Sequence, residues 1–272
     1  MKISSIHNPK IKNLLRLQQK SKERVSQGLF VVEGVKEVQM ALEGGYKPEE
    51  LFLCRKIFTA ESLIKSSVKV TEINPRIFKK LAYRKTTGGV IALCRSQRLG
   101  LESLHVSAHP ILLILDRIEK PGNLGAILRT AEAAGVEAVI LSDPKTDRFN
   151  PNVIRSSVGT VFTTTVITGT AEEIVAWLKK KNIQILAMAL DQDIKNFYET
   201  ALDKAIAIVI GTEDRGLSPL WLKAADETIQ ILMRGKADSL NLSNATAIVT
   251  FEALRQRLYA SPSVKKNYLP PY

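Results

Sequence analysis

Beyond residue 110 the chain repeats one pattern, a short apolar run followed by a helix-length segment, and few folds accept that alternation. Residues 111–115 form an unbroken apolar run closed by Asp116, and comparable runs recur at 138–141, 161–167, 183–190, 205–210 and 228–233. Runs without polar alternation are what strands buried on both faces of a parallel sheet require. Segments of helical character lie between most of them, at 124–134, 152–158, 171–181 and 217–225. Strands alternating with helices predict an α/β domain with right-handed crossovers and helices on both faces of the sheet. In such sheets ligands bind at the carboxyl ends of the strands.

The first hundred residues read differently. Residues 8–24, NPKIKNLLRLQQKSKER, place Ile11, Leu14, Leu15 and Leu17 on one side of a helix, with the basic side chains elsewhere. The strand LFVVEG, the helix VKEVQMALEGG and short strands at 51–54, 68–70 and 88–94 complete a small α/β domain. Residues 96–110 mix polar residues with Gly and Pro and hold no period, so the expected boundaries are a domain over 1–100, a linker over 101–110 and a second domain over 111–272.

Charge follows the same division. Of the 39 Lys and Arg and 27 Asp and Glu, residues 1–100 hold 20 and 8, whereas residues 101–272 hold 19 of each. A concentrated positive field suits a polyanion, because neutralised phosphates release counterions. The competing reading is a surface kept soluble by lysine. The candidate polyanion contacts are Lys10, Lys12, Arg16, Lys20, Lys22 and Arg24.

Cys54 and Cys94 are too few for a disulfide framework and read as small core residues. His7, His105 and His109 are scattered, so no bound metal is expected. With no run of about 18 apolar residues and no secretory pattern at the N-terminus, the expectation is a cytoplasmic protein without a membrane span.

Three strand ends concentrate glycine and polar residues. In LDRIEKPGNLGAILRTAEAAG, Asn123 is a candidate helix cap, and Arg129 sits on an apolar helix where it needs either an acidic partner or a function. In VIGTEDRGLSPLWL, Glu213 stands at a strand's carboxyl end and Ser218 and Pro219 can start a helix. In MRGKADSLNLSNA, four residues, Ser239, Asn241, Ser243 and Asn244, exceed what one helix cap needs. Neither G-x-G-x-x-G at a strand end nor a Walker A sequence occurs, which argues against nicotinamide and nucleoside-triphosphate chemistry.

Together N-L-G-A-I-L-R-T-A from Asn123, G-T-E-D-R-G-L-S from Gly211 and M-R-G-K-A-D-S-L-N-L-S-N-A from Met233 resemble, in order and spacing, the three motifs of the SpoU (TrmH-like) family of the SPOUT superfamily. S-I-H-N-P-K-I-K from Ser5, F-V-V-E-G from Phe30 and G-G-V-I-A from Gly88 are similar to that family's substrate-binding domain. The resemblance implies a C-terminal SPOUT α/β fold with a deep trefoil knot, preceded by a small α/β substrate-binding domain. It also implies a homodimer and S-adenosylmethionine-dependent 2'-O-ribose methylation of RNA, with 23S ribosomal RNA favoured over tRNA. By the same resemblance Gly211, Ile231 and Leu240 surround the cofactor, and Asn123, Arg129, Glu213, Ser239 and Asn241 match the catalytic positions. Thr212 stands where relatives often carry Asn. The expected roles are phosphate and oxyanion stabilisation by Arg129, with Glu213 orienting it. A tRNA methyltransferase and a non-catalytic RNA-binding or ribosome assembly factor of the same fold are the alternatives.

Overall fold

The computed structural model describes residues 2–64, 68–83, 88–97, 99–189 and 195–260. They form two compact units, Met1–Arg98 with Thr146–Thr163, and Leu99–Lys145 with Thr164–Tyr272.

The first unit opens with β1 (Lys2–Ile3) and α1 (Pro9–Gln19). Asn8 caps α1 by accepting from the Lys10 amide, Pro9 fits the first turn, and Ile11, Leu14 and Leu17 are buried. The helix expected to continue to Arg24 breaks at Lys20, which is extended (φ −120°, ψ 114°), and a separate α2 (Ser21–Gln27) follows. The break has a consequence for charge. It turns Arg24 inward to 5% exposure, where its Nη1 donates to the carbonyls of Leu17 (2.6 Å) and Gln18 (3.2 Å) at the end of α1. Its Nε and Nη2 meet the two Asp147 oxygens at 3.1 and 2.6 Å. Arg24 is therefore a buried C-terminal cap and ion pair rather than an exposed polyanion contact. Lys10 is likewise committed, donating to both oxygens of buried Glu50 at 2.5 and 2.8 Å. Lys12, Arg16, Lys20 and Lys22 remain exposed. Arg24→Met leaves Asp147 without its partner and should lower unfolding stability by roughly 3 kcal/mol; thermal melting checks this.

β2 (Leu29–Glu33), α3 (Val35–Glu43), β3 (Pro48–Leu53), β4 (Lys69–Ile73), α4 (Pro75–Leu81) and β5 (Val90–Arg95) complete the sheet, in the order β1-β4-β3-β5-β2. β5 is antiparallel to β2 and β3, and the remaining pairs are parallel. Cys54 and Cys94 are both fully buried.

The second unit starts with β6 (Ile111–Asp116), all six residues buried, then α5 (Pro121–Ala133) and β7 (Ala138–Ser142). The chain then departs from expectation, because 146–163, placed by sequence in the second domain, folds with the first unit. It carries α6 (Pro151–Ser156) and a 3-10 turn (Thr160–Phe162). The cause is aromatic packing. Phe149 stacks on Phe30 at 4.1 Å between ring centroids, and Phe162 meets Tyr46 edge-on at 5.3 Å. The apolar run at 161–167 is accordingly not one strand: Val161 and Phe162 belong to the turn, and only β8 (Val166–Gly169) extends the second sheet. With this segment included, the first unit holds 22 basic and 9 acidic residues and the second 17 and 18.

α7 (Ala171–Lys180), entered through a capping box of Thr170 and Glu173, leads to β9 (Gln184–Met188), β10 (Lys195–Asn196), β11 (Ile206–Ile210), α8 (Pro219–Ala224), β12 (Glu227–Gln230) and α9 (Leu242–Ala260). Leu190, expected at the end of β9, lies outside the described residues. The seven strands run in the order β10-β12-β9-β11-β6-β7-β8, every pair parallel. Leu112, Ile114, Ile140, Ile185 and Val209 pack with Trp177 of α7 and Trp221 of α8. Alternate residues such as Leu113 and Leu115 point to the opposite face, and α5 packs against α9. Among the described residues no helix is long and apolar enough to cross a membrane, and no cluster of His, Cys, Asp and Glu can hold a metal.

Candidate active site

Three chain segments leave strands of the second sheet and converge on one carboxylate. The first leaves β6 through buried Asp116, which accepts from the Ser218 amide at 2.7 Å, and enters α5 at Pro121. Asn123 thus falls in the first turn of α5, not at its cap, which is Lys120. Its side chain is freed to donate to Glu213 Oε1 (3.2 Å) and to accept from Asn241 Nδ2 (3.2 Å).

The second segment leaves β11 at Gly211 and turns through Gly216 (φ +62°), whose amide donates to the Thr212 carbonyl at 2.9 Å. Gly211 has no room for a side chain, since a Cβ there would lie 2.2 Å from the Gly216 carbonyl carbon. The third segment, after β12, ends at Asn241. Asn241 caps α9: its Oδ1 accepts from the Ser243 amide (3.0 Å) and hydroxyl (2.6 Å). Its Nδ2 donates to Glu213 Oε1 at 2.7 Å, and the Leu242 amide donates to the same oxygen at 3.1 Å.

Glu213 is the hub. Lys120 Nζ pairs with its other oxygen, so four donors from the first and third segments meet the one carboxylate of the second, at the N-terminus of a helix. The Lys120 ammonium first, then the Leu242 amide, hold the Glu213 carboxyl below the usual carboxylate range, and Glu213 in return raises Lys120. A carboxylate so stabilised stays charged through the neutral range and is a weak proton acceptor. Lys120 is not among the residues expected from sequence, although E-K-P-G-N puts a cation directly before the helix that carries Asn123.

Beside the hub, at the carboxyl ends of β9, β11 and β12, lies a cavity of about 400 Å³ lined by Gly211, Glu213, Ile231, Ser239 and Leu240. All three residues expected around a cofactor line it, together with Met188, Leu222 and Met233, which sequence did not single out. A smaller pocket of about 30 Å³ takes in Lys120 and Asn123 and shares Thr212, Glu213 and Leu242 with the larger one. Arg129 is not part of this assembly. It is exposed on α5, and its guanidinium forms no hydrogen bond or ion pair with another described residue. The expectation that Glu213 orients Arg129 is not met, because the carboxylate is fully engaged by Lys120, Asn123, Asn241 and Leu242.

Residues 110–251 match the model of the SpoU rRNA methylase family, and residues 8–92 match an MRM3-like substrate binding domain. The chain is 29% identical to the 23S rRNA (guanosine(2553)-2'-O)-methyltransferase RlmP of Bacillus subtilis, over 92% of this chain and 97% of that one. Its fold matches a crystal structure of an RNA 2'-O ribose methyltransferase with a TM-score of 0.82 at 37% identity, covering 95% of this chain and 100% of the other. An AdoMet-bound rRNA methyltransferase from Sinorhizobium meliloti matches with a TM-score of 0.86 at 29% identity, over 94% and 97% of the two chains.

Proposed function

Because this chain belongs to the SpoU rRNA methylase family, we propose that it transfers a methyl group from S-adenosylmethionine to a ribose 2'-hydroxyl of 23S ribosomal RNA, acting in the cytoplasm as a homodimer. The observation that carries the reading is the Glu213 hub, which ties three strand-end segments together beside the cavity of Gly211, Ile231 and Leu240.

The cavity suits the cofactor. Its volume of about 400 Å³ falls in the range of small-molecule sites, roughly 300–1,000 Å³. Ile231, Leu240 and Met188 offer apolar surface to an adenosine, and the turn from Gly211 to Gly216 offers main-chain polar groups. When bound, S-adenosylmethionine supplies an electrophilic methyl on a sulfonium centre. The protein's task is to place the ribose oxygen in line with it. Asn123, Asn241 and Ser239 are the polar groups at hand for the ribose and its backbone, with Glu213 fixing the first two.

Arg129 is the residue for the RNA. A guanidinium has a pKa above about 12 and does not act as a base; exposed and unpaired among described residues, it is available to a phosphate and to the developing oxyanion. Arg129→Lys should lower kcat about 100-fold, because lysine lacks the planar fork, and leave the Kd for S-adenosylmethionine unchanged. Near-normal turnover with unchanged RNA affinity contradicts this role.

Lys12, Arg16, Lys20 and Lys22 are the proposed phosphate contacts of the basic first unit. A homodimer would cover exposed Ile248 and Phe251 of α9. The reading includes a deep trefoil knot in the segment after β12, supported by family membership and by the return of Asn241 and Leu242 to Glu213. Titration with S-adenosylmethionine and, separately, NAD tests the cofactor: binding of the first alone is expected.

A further inference from the structure

A second cavity, about 470 Å³, is lined by described residues of the first unit alone, none of them given a role above. Its lining combines apolar Val35 and Ile154 with Glu33, Lys36, Glu37, Arg155 and Tyr83. Tyr83 is 64% exposed, yet it is held in place from two sides. Its amide donates to both Glu33 oxygens, at 2.8 and 2.9 Å. The Arg155 guanidinium covers its ring, 4.5 Å from the centroid. Arg155 comes from α6, within the segment 146–163 that leaves the second unit to pack here.

An exposed aromatic ring held at the edge of a cavity is a stacking surface. Aromatic and guanidinium planes that stack unpaired bases are the common device for reading single-stranded RNA. Charge in the lining balances, Glu33 and Glu37 against Lys36 and Arg155, so no excess of cations marks the cavity as a phosphate site, whereas a carboxylate accepts hydrogen bonds from the amino and imino groups of a base. We propose that this cavity takes one unpaired, amino-bearing nucleobase of the RNA substrate, stacked on Tyr83 with its donor edge at Glu37. The inference rests on the reading of this chain as an RNA methyltransferase and adds a base-specific contact outside the catalytic unit. It also assigns a role to the excursion of residues 146–163, which delivers Arg155 to the ring.

The test uses the full chain, an unmodified 23S rRNA transcript and filter binding. Tyr83→Ala should weaken RNA binding about tenfold, the lower part of the range for one stacked base. Tyr83→Phe should stay within about twofold, since stacking needs the ring and not the hydroxyl. Glu37→Ala, which leaves the ring untouched, should cost about fivefold. None of the three should change the Kd for S-adenosylmethionine. RNA binding unchanged in Tyr83→Ala, or lost equally in Tyr83→Phe, overturns the base pocket while methylation by the wild type leaves the enzymatic reading standing. A wild-type chain that neither binds nor methylates the transcript overturns both.

Discussion

Glu213→Ala is expected to lower methyl transfer by about 10²–10³-fold, a magnitude typical of losing the group that holds a reacting geometry. Lys120, Asn123, Asn241 and the Leu242 amide all converge on this carboxylate. Without it, two amide side chains and an ammonium lose their common anchor, and the ends of β6, β11 and β12 lose their link. α9 also loses an anion at its N-terminus, so about 1 kcal/mol of stability should go with the activity. Glu213→Gln separates charge from shape: it keeps an acceptor for the amides but loses the Lys120 ion pair, and should fall between wild type and alanine. Single-turnover kinetics with saturating cofactor resolves the three. The pH dependence has a defined sign. Because the folded protein holds the Glu213 carboxyl below its ordinary range, its contribution is present above the unfolded value and is lost as pH falls through the folded one. The loss therefore belongs to acid solution, and any activity change near neutrality comes from another group.

Gly211→Ala is the second substitution with a large expected effect, and it acts by volume. The added methyl would stand 2.2 Å from the Gly216 carbonyl carbon, 2.3 Å from its oxygen and 2.5 Å from the Leu217 nitrogen. These are backbone atoms, so no side-chain rotation relieves the clash, and the turn from 212 to 216 must open. That turn lines the 400 Å³ cavity. Cofactor affinity should fall by more than about 100-fold, the cost expected of a displacement near 1 Å in a positioned site. Calorimetric titration with S-adenosylmethionine measures it. Gly216→Ala is the control: open space surrounds its Cβ, so it meets only the strain of a positive φ, on the order of 1 kcal/mol.

The sheet of the second unit was legible because its strands are apolar on both faces. The runs at 111–115, 138–141 and 205–210 each correspond to a strand within a residue or two. The run at 161–167 misled for a physical reason. Val161 and Phe162 are apolar because they pack in the first unit, with partners such as Tyr46 more than a hundred residues away in sequence, and local periodicity carries no trace of such contacts. The same holds for Arg24, which reads as one more cation on a basic helix until Asp147 is brought to it. Helix α4 carries a local start signal: Asn74 followed by Pro75 is a cap and first turn, and the Asn74 side chain accepts from the Ile77 amide. At the site, Asn123, Glu213 and Asn241 stood out as polar residues at strand ends, and the structure joins them directly. Their roles were less legible. Asn123 looked like a cap and is a hydrogen-bond bridge, Asn241 is the cap, and Lys120 rather than Arg129 is the cation that Glu213 holds.

The central claim is that the acceptor is a ribose oxygen, and alkaline hydrolysis reads this directly. RNA cleavage by base needs a free 2'-hydroxyl, so a methylated ribose protects the adjoining phosphodiester. The full chain is incubated with an unmodified 23S rRNA transcript and S-adenosylmethionine labelled in its methyl group, and the product is hydrolysed in alkali. The account predicts label confined to alkali-resistant dinucleotides, and its disappearance when Glu213→Ala replaces the wild type. Label in mononucleotides would place the methyl on a base and contradict the account, as would an absence of transfer by a chain that binds both RNA and cofactor.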